Sequence, residues 1–341
     1  MRSYRVVLAL FLFFSTLAMT TGTMHSQEKD SVGTAQVHAV ITNQAQREDN
    51  EAPLLQPGDV KVKQGKNFLK MTQLIPARGD NGALQMFVLI DDTLDSRIGN
   101  NLNDLRDFIN AQSASTLIGI GYMSNATVNV VQNFTSDHAV VAKAARLPLG
   151  RLSTMDSPYL SLISLVKGWK QQNVRREVLM VTDGMDRLHG EKPSVSRLGP
   201  RFGSVYHSMP TMSPDVDSAS EVSQRYNVLV YSIYATSVGR AARSSWDLEL
   251  GLSALSKLAD ETGGDVFSLG TSSLVSFKPY LERLQKYLGN QYYAVFQAIT
   301  GKKPGLQRVN FATEAPNAEI AAADNVWVPT GNTSQSASGS P

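Results

Sequence analysis

Three carboxylates and a hydroxyl crowd one short stretch of this chain, Ile90-Asp-Asp-Thr-Leu-Asp95. They follow an unbroken apolar run, Met86 to Ile90. Such a run predicts a strand covered on both faces. Polar groups just past such a strand lie where open α/β sheets hold their ligands. Further on, Val178-Leu-Met-Val-Thr-Asp-Gly184 repeats the arrangement. Two buried strands that both end in Asp predict one site assembled from distant segments, with Asp91 and Asp183 at its centre. The plain alternative is that each Asp caps the loop or helix after it, as Asp commonly does.

Other chemistries find no support. The chain has no cysteine, which removes disulfides, Cys-ligated zinc, iron–sulfur clusters and thiol catalysis. No Gly-x-Ser-x-Gly elbow accompanies the serines, and no Ser, His and Asp set assembles from motif context. Gly119, Gly121 and Gly239 do not form a dinucleotide fingerprint. His25, His38, His138, His189 and His207 lack metal-ligand spacing, and His189 and His207 read as solvated residues of one long insert. Arg78-Gly79-Asp80 reads as a turn, and Tyr287, Tyr292, Tyr293 and Phe296 as β-packing. With 32 basic against 30 acidic residues there is no electrostatic case for nucleic acid.

The elements that must position the carboxylates come from periodicity. From Leu84 the pattern runs strand, helix, strand, with Leu102, Leu105, Phe108 and Ile109 on one helical face. Gly119 and Gly121 interrupt the next strand and imply close backbone packing there. Thr135 is expected to cap a helix over Asp137 to Arg146, and Ser157-Pro158 to open another. Alternating strands and helices imply an α/β fold, a Rossmann-like, doubly wound, mostly parallel sheet. A small β-addition comes from the N- and C-terminal flanks.

The 341 residues divide as follows. Residues 1–26 read as a signal peptide. Arg2 and Arg5 precede an apolar stretch from Val6 to Met19 and a small, polar Thr20-Thr-Gly-Thr23. The stretch is short for a membrane span, which needs about 20 residues. Cleavage after Gly22 or near Ser26 would send the chain to the periplasm or beyond; an uncleaved anchor is the alternative. Residues 27–83 read as a linker and a short strand-rich segment, with 27–57 a polar, loosely ordered arm. Residues 84–290 form the main domain, 187–218 being a long insert. Residues 291–330 supply terminal strands, and 331–341 a Ser/Gly-rich disordered tail. No later segment is long and apolar enough to span a bilayer.

Val88-Leu-Ile-Asp-Asp-Thr-Leu-Asp95, Val178-Leu-Met-Val-Thr-Asp-Gly184 and Leu255-Ser-Lys-Leu-Ala-Asp-Glu-Thr-Gly-Gly264 together resemble the von Willebrand factor type A (vWA) domain. More narrowly, the chain is similar to secreted bacterial "VWFA-related" proteins, over roughly Leu84 to Phe296. The resemblance implies helices on both faces of the sheet and a metal-ion-dependent adhesion site at its carboxyl edge. That site takes Asp-x-Ser-x-Ser, a Thr from a later loop and an Asp from a third. Carried over, Asp91 takes the first Asp, Thr93 the first Ser, and Asp183 with Gly184 the third loop. Asp95 stands where the second Ser should be and Leu152 at the Thr position, where Ser153 or Thr154 would serve only with a shift. The implied cofactor is Mg²⁺ or Ca²⁺, hard cations that take oxygen ligands. Three carboxylates at one point repel unless a cation or a proton is present, and the extra charge of Asp95 would favour Ca²⁺. The implied function is non-enzymatic binding of a protein or surface ligand. A metal-independent scaffold of a cell-envelope complex is the second reading, and a hydrolase the third.

Overall fold

The computed structural model describes residues 33–47, 50–170, 174–189, 195–197, 204–206, 212–235, 245–268 and 275–330. The expected signal segment, the tail and much of the insert lie outside them.

The strands, in chain order, are β1 (Thr34–Ala45), β2 (Val60–Gln64), β3 (Asn67–Leu69), β4 (Met71–Pro76), β5 (Leu84–Asp91), β6 (Thr116–Ser124), β7 (Thr127–Thr135), β8 (Arg175–Thr182), β9 (Val195–Arg197), β10 (Ser204–Tyr206), β11 (Val228–Tyr234), β12 (Val266–Phe267), β13 (Gln291–Ile299), β14 (Gly305–Thr313), β15 (Ala318–Ala322) and β16 (Asn325–Val328). The helices are α1 (Leu102–Asn110), α2 (His138–Ala144), α3 (Pro158–Gly168), α4 (Pro214–Arg225), α5 (Ser245–Thr262) and α6 (Lys278–Gly289).

The central sheet has the order β12-β11-β8-β5-β6-β7. It is parallel except for β7, which returns antiparallel on β6. The chain winds outward from β5 in both directions, so the topological switch point lies between β5 and β8. Every residue of β5 and of β8 is buried, as their apolar runs require. Alternate side chains feed two cores. Met86, Val88, Ile90, Leu179 and Val181 pack with Leu105 and Ile109 of α1, Val141 of α2 and Leu284 of α6. Phe87, Leu89, Val178 and Met180 pack with Leu162 and Val166 of α3, Ala219 of α4 and Leu255 and Leu258 of α5. The helices therefore cover both faces, three on each.

Local signals hold at α3, where the Ser157 hydroxyl accepts from Leu160 N and Pro158 begins the helix. They need correction at α2. Asp137 is the cap, its carboxylate accepting from Val140 N, and Thr135 only braces Asp137 N. The insert is also shorter than expected. Ser213 caps α4 by accepting from Asp215 N, and the helix runs from Pro214.

The flanks build more than a minor addition. Two four-stranded sheets, β15-β1-β13-β4 and β16-β14-β2-β3, share apolar clusters that include Val37, Ala39, Val62, Phe296 and Val309. The arm expected over 27–57 is corrected here, because β1 pairs antiparallel with both β13 and β15. Its inward residues Ala35, Val37 and Ala39 alternate with polar ones, but two of the three are alanines, a weak strand signal. Among the described residues no helix is long and apolar enough to cross a membrane.

Candidate functional site

The end of β5 and the end of β8 flank the switch point, and the sequence-predicted carboxylates meet there. Asp91 closes β5 and is buried. Its Oδ1 accepts from the Thr93 hydroxyl at 2.7 Å and from Thr93 N at 2.9 Å, and its Oδ2 from the Thr182 hydroxyl at 2.8 Å. Asp183 follows β8 and is wholly buried. Its Oδ1 accepts from Met185 N at 3.0 Å, and its Oδ2 from Arg187 Nη2 at 2.9 Å. Gly184 has φ +70°, and a Cβ there would lie 2.7 Å from Leu255 Cγ and meet the Gly251 backbone, so only glycine fits the turn.

Burial, and then the nearby charge of Asp183, push the Asp91 carboxyl up to about 6; Arg187 and the Thr93 hydrogen bonds oppose them. Two buried carboxylates thus share one field, with a guanidinium as the cation beside them. Arg187 is itself largely buried, 14% exposed. Its Nη1 donates to Met185 O at 3.2 Å and its backbone N to Asp156 O at 2.8 Å.

The remaining expected ligands have other partners or are exposed. Asp95 accepts from Arg97 N at 2.9 Å and from the Arg97 guanidinium at 3.0 and 2.9 Å, capping a 3-10 turn over Ser96–Asn101. These bonds hold its carboxyl below the usual range. Ser153 braces its own turn, its Oγ accepting from Met155 N at 3.1 Å, and Thr154 is exposed. Leu152, at the Thr position, is also exposed. As a test, Asp95→Ala is expected to cost about 1 kcal/mol or less, the worth of a cap, with an unchanged response to divalent cations in thermal melts.

The structure gives roles to residues that the sequence left without one. Asp92 binds the Arg146 guanidinium at 2.7 and 3.0 Å and accepts from Leu149 N at 2.9 Å. Arg146 lies 3.7 Å over the Tyr122 ring. Asp92 therefore fixes the loop between α2 and α3 against the sheet edge. Asp156 does the same from the other side, accepting from Asn125 N at 2.9 Å and Ser153 N at 2.6 Å. Its place before Ser157-Pro158 was its only sequence signal.

A second group lies at the start of the insert. Asp186, His189 and Asp215 place one donor atom each within 4.8 Å of one another, a set able to hold a cation. His189 Nδ1 is 2.8 Å from Asp215 Oδ2, and Ser213 Oγ donates to Asp186 at 2.7 Å. Asp215 comes from a distant helix start, so no spacing rule reaches it. His207 lies outside the described residues.

A divalent ion at Asp91, Thr93 and Asp183 would have to share these contacts. The residues do not fit one as they stand. The Arg187 guanidinium holds Asp183 Oδ2 and already supplies the positive charge, and Asp95 is turned to Arg97 instead of completing a ligand set.

The sheet, wound outward from a buried strand that ends in Asp91-x-Thr93, has the doubly wound, mostly parallel α/β architecture that the sequence resemblance implied. No family model matches the chain, and no curated protein matches it. Among solved structures it is similar to a von Willebrand factor type A protein from Catenulispora acidiphila, at 9% identity and TM-score 0.36, over 88% of this chain and 75% of that one. It is similar to the SpRpn10 VWA domain, at 11% and 0.32, over 57% and 87%. It is also similar to an aerotolerance-related membrane protein from Bacteroides fragilis NCTC 9343 carrying mutations to serine, at 9% and 0.39, over 60% and 98%. At such scores nothing about ligand or partner passes from them to this chain.

Proposed function

We propose that the chain is an exported, non-enzymatic binding module that engages another protein or a surface polymer at the carboxyl edge of its sheet. The observation that carries this reading is the loop between α2 and α3. Pinned by Asp92 and Asp156 beside the buried carboxylates, it leaves Leu147, Leu149, Leu152 and Met155 each about half exposed, at 49%, 57%, 46% and 51%. Large apolar side chains gathered on one loop cost solvation unless a partner covers them. The charge, hydrophobic stretch and small polar residues at the start of the sequence support export.

The Arg187 guanidinium already supplies a positive charge at Asp183, which favours engagement without the Mg²⁺ or Ca²⁺ expected from the resemblance. A cation that binds the described residues would find its donors at Asp186, His189 and Asp215 instead.

The test is cosedimentation of the full chain with cell envelopes. The wild type is expected to sediment with them and to stay bound in chelator. The exposed-loop double variant Leu149→Asp, Leu152→Asp is expected to remain in solution with an unchanged melting temperature. Equal sedimentation of both proteins would remove the loop from the reading, and release of the wild type by chelator would restore a metal to it.

A further inference from the structure

The geometry points to Arg187 as the resident cation of the sheet edge: its guanidinium supplies the charge that a divalent ion would bring, and removing it turns Asp91, Thr93 and Asp183 into a metal site. This concerns the chemistry of the edge and stands whether or not a partner docks there.

Each observation bears on charge balance. Asp91 and Asp183 are 3% and 0% exposed, and buried like charges persist only when something offsets them. Arg187 bonds Asp183 directly, and its charge also acts on Asp91. Asp95 adds no unpaired charge there, because it is bound to Arg97. The guanidinium is anchored rather than adventitious. Its other branch donates to Met185 O, and the backbone of Arg187 is tied to Asp156 O. A planar, delocalised cation suits such a shared, weakly hydrated position better than an ammonium would. An incoming Mg²⁺ would have to displace a guanidinium bonded to both Asp183 and Met185 O, and shed water as well.

Without the guanidinium the balance reverses. Two buried carboxylates and a hydroxyl would then face one another with no cation, and that oxygen-only set suits Ca²⁺, Mg²⁺ or Mn²⁺. Binding of an ion to the folded chain alone would appear as added thermal stability.

The experiment compares melting of the full chain in chelator and in millimolar CaCl₂, MgCl₂ or MnCl₂. All variants carry His189→Ala, which removes the only imidazole of the Asp186, His189 and Asp215 group. Without Arg187→Gln the expected cation shift is nil. With Arg187→Gln the protein melts lower in chelator and recovers by about 2–4 °C or more on adding cation. Adding Asp91→Asn to Arg187→Gln abolishes that recovery. No recovery in Arg187→Gln overturns the inference, as does recovery that survives Asp91→Asn. If Arg187→Gln does not fold, calorimetric titration of the Arg187-bearing protein decides. Absence of cation-binding heat supports the inference, and heat that Asp91→Asn removes overturns it.

Discussion

Phe87→Ala is expected to lower the stability of the protein by about 3–5 kcal/mol, read from the midpoint of a urea titration with an unchanged slope. The ring sits in the middle of β5 and is 2% exposed. It meets Phe134 edge-on at 5.7 Å and Trp169 at 6.5 Å. The indole of Trp169 in turn donates to Gln85 Oε1 at 2.8 Å. On its other side the ring lies over Gly119, its register partner on β6, and over Gly121. A Cβ on Gly119 would be 2.8 Å from Phe87 Cδ2, and one on Gly121 3.2 Å from Cζ. Gly119 and Gly121 have no side chains of their own to fill the space, so truncation leaves much of its cavity behind. A small loss would mean that the sheet closes over the gap, and the packing argument would fail.

The second large effect has the opposite sign. Glu177 lies on β8 and is wholly buried. Burial pushes its carboxyl up to about 7, and Arg175 and Gln291 counter this only in part. An acid held above its unfolded value favours the fold only while protonated. Its contribution is intact below about 4.5 and is lost as pH rises through about 7. Glu177→Gln is therefore expected to stabilise the protein at pH 8, by at most roughly 3 kcal/mol. The gain is reduced by the lost attraction to Arg175, and little change is expected at pH 4.5. A melting temperature of Glu177→Gln at or below that of the wild type at pH 8 would contradict this. Asp91 adds to the same slope, being raised to about 6.

Much of the central sheet is legible in the sequence because its strands are covered on both faces. Met86 to Ile90 and Val178 to Val181 can be nothing else once flanked by helical periods, and the glycines of β6 announced their close neighbour. The Ser157-Pro158 cap was equally plain. The flanking sheets were less so. β1 alternates small residues with polar ones, and only its partners β13 and β15 make it a strand. Half of the site was legible too: Asp91, Thr93 and Asp183 do come together. The fate of the charges was not. Whether Asp95 joins the site depends on Arg97 two residues away, whose guanidinium holds it. Nor does spacing disclose that Arg187 turns back onto Asp183, since an arginine opening a polar insert looks like a solvated one.

The way β1 is seated has a mechanical consequence. Nine residue pairs, from Thr34–Ile299 to Thr42–Gln291, join it to β13, and β15 grips its other edge from Ile41 to Ala45. A pull along the strand from residue 33 loads these bonds in parallel, so they must shear together instead of unzipping singly. If the chain is tethered by the residues before β1 while the sheet edge holds a partner, tension reaches the ladder before it reaches Asp91 and Asp183. The flanking sheets would then act as a strain relief for the binding edge.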